Sequence, residues 1–174
     1  MDRLIAIAAL VGFVLSLAVH ISALSGIDVS AHLPFVWLLH VGIFVVFVPF
    51  VLSIRKYLGA KPTFSEVRVA FPGWAIAACV AIFAYTIVNF LIFMAATEGG
   101  SPSIRDGKYI LDSHGKLIRE LTEAEYFSFK ANELRGFSGH WLVFYFAPFA
   151  YFMFRKKSNP PLNADAPKSG APFS

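Results

Sequence analysis

The chain has 174 residues, 57% of them hydrophobic and 15% charged, with a mean hydropathy of +0.64. That balance lies outside the range of soluble domains and makes a membrane protein the expectation. Its one cysteine, Cys79, excludes an internal disulfide and dithiol redox chemistry, and the net charge of +4 is mostly charge that would set topology at the cytoplasmic membrane face, which does not point to nucleic acid.

Four apolar runs match, or nearly match, the roughly 20 residues needed to cross a bilayer as a helix. The first, residues 4–24, contains no Asp, Glu, Lys or Arg. "ALS" at its end resembles a signal-peptidase site, but the run exceeds the roughly 7–15 residues of a signal core and is read as a retained span. Along it, Ala8, Gly12, Ser16 and His20 recur every fourth residue, a small-residue ridge that puts His20 on an inward face. The second run, 33–54, sets Trp37, His40, Phe44 and Phe47 or Val48 along one side. The third, 71–96, does the same with Trp74, Ala78, Ala81, Tyr85 and Asn89. Pro49 and, in the fourth run, Pro148 are candidate bend points.

Lys and Arg fix the expected orientation, because short cytoplasmic loops retain them. Arg3, then Arg55, Lys56, Lys61 and Arg68, then Arg155, Lys156 and Lys157 form one set, whereas 25–32 has none. Both termini are therefore expected in the cytoplasm of a bacterial inner membrane, and segment 97–137 outside it. The cations of that segment (Arg105, Lys108, Lys116, Arg119, Lys130, Arg135) are nearly cancelled by its acids.

Within it, 98–103 reads as a flexible exit from the third span. "KYIL" and "KLIREL" flank Asp112–Gly115 as a hairpin with glycine in the left-handed position. "LTEAEY" starts a helix with Thr122 as N-cap and Glu125 as its capping-box partner, bearing Ala124, Phe127, Ala131 and Leu134 as an apolar stripe. Gly136 is read as its stop, and Ser138 as the N-cap of the fourth span, 138–154, with Trp141 in the aromatic belt. After it, 158–174 is rich in Pro, Ala and Ser and is expected to be a disordered cytoplasmic tail.

The expected fold is thus an all-α integral membrane protein: spans one to three over 1–96, an extracytoplasmic hairpin-plus-helix cap over 97–137, and a fourth span over 138–157 that completes a four-helix bundle. All five histidines (His20, His32, His40, His114, His140) fall on its outer side. His20, His40 and His140 lie at similar depth and are the candidate cofactor or metal ligands, with Asn89 and Tyr85 as a polar layer. No paired-histidine spacing within one helix accompanies them, and no carboxylate inside the spans orients them. The function expected is therefore non-enzymatic: a scaffold, accessory subunit or sensor whose cap binds a partner or ligand, with no cofactor. The alternative is an electron-transfer component holding haem b, copper or zinc on those histidines. Expected partners are the lipid bilayer and another membrane protein or further copies of the chain. Transport by a monomer has no internal repeat behind it, and no nucleophile pattern accompanies Asp28 and His32.

Overall fold

The computed structural model describes residues 1–156, so the tail expected over 158–174 lies outside the described residues. The chain is mainly helical: α1 (Asp2–Leu24), α2 (Val29–His32), a 3-10 turn (Pro34–Trp37), α3 (Leu38–Leu58), α4 (Phe64–Ala70), α5 (Gly73–Ala95) and α6 (Glu123–Phe154). Three stretches, α1, Pro34–Leu58 and α5, are long and apolar enough to cross a membrane. Large apolar side chains such as Phe44, Val80, Phe83 and Leu91 remain uncovered on them, as lipid-facing surfaces require.

α6 is the organising element. It packs against α1, α5 and α3, and α1 also meets α3. Its buried residues run from Ala131 to Phe152 and include Trp141 and Tyr145. The Tyr145 ring occupies a slot made by glycines of two neighbours. A Cβ on Gly12 of α1 would collide with the ring, one on Gly42 of α3 would lie 2.6 Å from the phenolic oxygen, and the hydroxyl donates to the Leu39 carbonyl at 2.6 Å. This is the small-residue route to close helix approach where lipid offers no hydrophobic driving force.

Basic residues collect at one end. Arg155 reaches Asp2, donates to Tyr151 Oη at 2.6 Å and to Ser53 Oγ at 3.1 Å, and stacks over the Tyr151 ring at 4.8 Å. α4 follows here, closed by a capping box between Thr63 and Glu66.

At the opposite end the expectation of an all-α chain is corrected. Residues 101–120 form a three-stranded antiparallel meander, β1 (Ser101–Arg105), β2 (Lys108–Ser113) and β3 (Lys116–Glu120). The β2–β3 hairpin is the one expected, with His114 and Gly115 both at positive φ. Strand β1, which occupies much of the segment expected to be a flexible exit, is held by a second turn at Asp106–Gly107, also with two positive φ values. Asp-Gly is a strong signal for such a two-residue turn, and it stands in the sequence. The third strand also removes the marginality of a lone hairpin. Ile110, Leu111 and Leu121 are buried, and Tyr109 stacks on Tyr126 of α6 with ring centroids 4.8 Å apart.

A second correction concerns α6. Thr122 and Glu125 close the expected capping box, and Ala131 and Leu134 are buried, but Ala124 and Phe127 of the expected stripe are exposed. The helix also does not stop at Gly136. It runs unbroken to Phe154, so Ser138 caps nothing. Gly136 serves packing instead: a Cβ there would lie 2.7 Å from the Phe93 ring of α5. Glycine ends a helix when its backbone turns left-handed, and a helical neighbour pressed on the same residue uses its missing side chain differently.

Ionic contacts tie the sheet to the helix ends. Arg119 joins Glu98 at 3.1 Å and Glu125 at 2.8 Å, and Arg105 joins Asp112 at 3.4 Å. The Thr122 backbone amide, then Arg119, pull Glu125 from its ordinary value of 4.5 down to about 2, and the hydrogen bond from Ser103 lowers Asp112. A depressed carboxylate contributes fully above its unfolded value and loses that contribution as pH falls through the folded one. Amide protection of β3 and the first turns of α6, measured against the intrinsic exchange rate at each pH, is therefore expected to fall between about pH 4.5 and pH 2. Arg119→Gln is expected to move that onset to higher pH. An exchange profile flat across this window counts against the pairing.

Candidate functional site: a polar cluster beneath a vestibule

Toward the sheet end of the helices, polar side chains of α1, α5 and α6 meet. His20 is buried at 2% exposure between Ser138 of α6, 2.8 Å from Nδ1, and Tyr85 of α5, 2.5 Å from Nε2. Asn89, one turn along α5 from Tyr85, accepts from Arg135 Nε at 3.1 Å and donates to the Arg135 carbonyl at 3.2 Å. Thr86 donates to the Gly139 carbonyl at 3.1 Å. Gly139 makes this possible: a Cβ there would strike the Asn89 amide and lie 3.4 Å from His20 Cε1.

The proton arrangement follows from the acceptors. Ser138 Oγ donates to the Arg135 carbonyl at 3.3 Å, which leaves its oxygen to accept from His20 Nδ1–H. His20 Nε2 is then the acceptor for the Tyr85 hydroxyl. Tyr85, His20, Ser138 and the Arg135 carbonyl thus form one directed chain of donors across three helices. One turn along α1, Ser16 Oγ is buried without a hydrogen-bond partner among the described residues.

Above this cluster lies a vestibule of about 520 Å³, walled by Ala23 and Leu24 of α1, Ala95 of α5, Ser128 and Asn132 of α6, Arg119 of β3, and the carboxylate-bearing Glu98 and Glu125. Arg135 lines it too. Arg119 is neutralised by its two glutamates, whereas Arg135 has no carboxylate within 4 Å among the described residues. Its guanidinium therefore supplies fixed positive charge where the vestibule meets the polar cluster.

The structure thus brings His20, Tyr85 and Asn89 together and adds Ser138 and Arg135, but separates them from the other expected ligands. His40 and His140 line a different cleft, between α3 and α5. His20 thus sits apart from His40 and His140, among Ser138 and Tyr85 rather than in their cleft. Hydrogen bonding explains the difference. Both nitrogens of His20 are engaged. His40 Nδ1 accepts from Trp141 Nε1–H at 3.0 Å, which places its proton on Nε2. His140 Nδ1–H donates to the Gly136 carbonyl at 2.8 Å, so among the three only His140 keeps a lone pair free of a protein donor.

The ridge of α1 is corrected by one position. Gly12, Ser16 and His20 are buried, but Ala9 rather than Ala8 continues their face. On α5, Trp74 and Ala81 are exposed, and Ala75, Thr86 and Asn89 face α6. Arg135 carried a legible signal, a cation three residues before an apolar run. In the sequence it belongs to an outer helix, because Gly136 reads as a stop. No protein-family model, curated protein or solved structure matches the chain.

Proposed function

We propose that the protein is a non-enzymatic, four-span membrane protein, a sensor or accessory subunit, that binds a small anionic ligand in the vestibule beneath its outer cap. In this reading residues 138–154 of α6 are the fourth crossing, beside the three helices already long and apolar enough. The sheet and the first turns of α6 are the extracytoplasmic cap, and both termini lie on the cytoplasmic side of a bacterial inner membrane. The clustering of Arg3, Arg55, Lys56, Arg68 and Arg155 toward the end opposite the sheet supports that orientation.

The observation that carries the ligand reading is Arg135. An intramembrane or interfacial cation without a carboxylate is costly unless it faces a polar cavity or a ligand. Here it faces a vestibule of about 520 Å³, a size suited to a small molecule. Its Nε is anchored by Asn89, which fixes the guanidinium while the donor chain beneath joins α1, α5 and α6. Occupancy would bias how these three helices sit against one another, which is how a sensor would relay it. A partner membrane protein, or a second copy of the chain, would read that change on the uncovered faces of α3 and α5. The haem, copper or zinc alternative draws no support from the hydrogen bonds of His20 and His40.

Two measurements test this. In a Cys79→Ser background, a cysteine at His114 is expected to react with a membrane-impermeant maleimide in intact spheroplasts, and one at Lys61 only after lysis; the reverse pattern overturns the orientation. With the protein in nanodiscs, succinate or inorganic phosphate is expected to raise the denaturation midpoint saturably, and Arg135→Gln to weaken the response at least tenfold. A response to both anions that is absent, or equal in wild type and Arg135→Gln, overturns the ligand reading.

A further inference from the structure

α3 packs on α6 and α1, α5 packs on α6, and between α3 and α5 a cleft of about 460 Å³ opens along α6. His40 and Phe44 of α3, Phe90 and Phe93 of α5, and Phe137 and His140 of α6 line it. Its rings already meet edge to face: His40 with Phe137 at 6.0 Å and His140 with Phe90 at 5.4 Å between centroids. In a helix pair exposed to lipid, such a cleft is filled by something dissolved in the bilayer. Two polar atoms decide what.

Because Trp141 donates to Nδ1 of His40, the remaining ring nitrogen, Nε2, is a donor. Because His140 donates from Nδ1 to the Gly136 carbonyl, its Nε2 in the neutral ring is an acceptor. Neither Nε2 has a protein partner among the described residues. The cleft therefore offers one donor and one acceptor within an otherwise aromatic lining. A hydrocarbon chain satisfies neither, and an unmet polar group facing hydrocarbon is costly.

We propose that this cleft binds a membrane-dissolved aromatic diol of the quinol class, a planar ring with an apolar tail. One ring oxygen accepts from His40 Nε2–H, and a ring hydroxyl donates to His140 Nε2. Stacking on Phe90, Phe93 and Phe137 holds the ring. The oxidised ring carries only carbonyl acceptors, so it satisfies His40 but sets a lone pair against that of His140. The cleft thus discriminates in favour of the reduced form, in the way a site built around a hydroxyl rejects the analogue lacking its proton. The proposal rests on α3, α5 and α6 lying in the membrane but not on the anion reading of the vestibule, and Arg135→Gln is expected to leave it unchanged.

The probe is a decyl-tailed benzoquinone, supplied oxidised or chemically reduced under anaerobic conditions to nanodiscs with and without the protein. Ligand extracted from the discs is measured chromatographically as the excess over empty discs. The expected result is a saturable excess approaching one per chain, with the quinol held about tenfold more tightly than the quinone. His140→Phe is expected to abolish that preference. His40→Phe is expected to weaken both forms, while His40→Gln, which can accept from Trp141 and still donate, retains them. Partition identical to empty discs overturns the proposal, as does equal retention of both redox forms by the wild-type protein, a result that needs no variant to fold. Displacement of both forms by equimolar dodecanol also overturns it and marks the cleft as an alkyl-chain groove.

Discussion

Gly12→Val is expected to be among the most damaging single substitutions in the chain, lowering stability by about 3 kcal/mol, the upper end of the range for overpacked cores. A Cβ at position 12 falls within the Tyr145 ring, and the ring has no room to retreat. The phenolic end lies against Gly42, where even a Cβ would come within 2.6 Å of the oxygen, and the hydroxyl is tied to the Leu39 carbonyl. Relief therefore requires α1 to move off α6, which would also stretch the His20–Ser138 hydrogen bond two turns away. Reversible unfolding in mixed micelles, followed by tryptophan fluorescence, measures the loss. Tyr145→Ala in the same chain is expected to restore part of it, because the two volumes compete for one slot. If Gly12→Val unfolds at the wild-type midpoint, the α1–α6 contact is not the tight one described.

Trp141→Ala is expected to cost a similar amount for the opposite reason. Trp141 is fully buried and packs against Trp37, with ring centroids 5.9 Å apart, while its indole N–H holds His40. Lipid is as apolar as the core, so little transfer free energy is lost. The cavity term remains: roughly 140 Å³ of removed side chain at about 24 cal/mol per Å³ gives about 3 kcal/mol. The variant also frees His40 to exchange its tautomer. Trp141→Phe separates the two effects, since it fills most of the volume without donating. It is expected to regain most of the stability while leaving quinol retention in the α3–α5 cleft impaired. Full recovery of both would show that the indole N–H does not set the state of His40.

Some of the molecule was legible in one dimension because its causes are local. Apolar length alone marks α1, the Pro34–Leu58 stretch and α5 as possible crossings. The Thr122 and Glu125 capping box and the turn at His114–Gly115 depend on neighbours within a few residues, and both formed as expected. So did the inward placement of His20, which a four-residue spacing of small side chains encodes. Strand β1 was equally local in its Asp106–Gly107 turn. A strand bearing Pro102 and two serines has weak intrinsic β preference and forms only because β2 is there to pair with it.

The rest was decided by packing. Whether Gly136 ends a helix or admits a neighbour depends on Phe93, more than forty positions away in the chain, and that choice turned Ser138 from a cap into a partner of His20. Depth along a helix can be counted from sequence, but facing across a bundle cannot. Counted along the chain, His20, His40 and His140 fall at similar depth, yet Trp141 and the Gly136 carbonyl hold two of them in a cleft apart from the first. Chain order is enough to say which segments are oily enough for a bilayer and where their ends carry charge. Only the tertiary structure decided which polar atoms meet, because a hydrogen bond is formed by distance and direction between helices that the chain order leaves free.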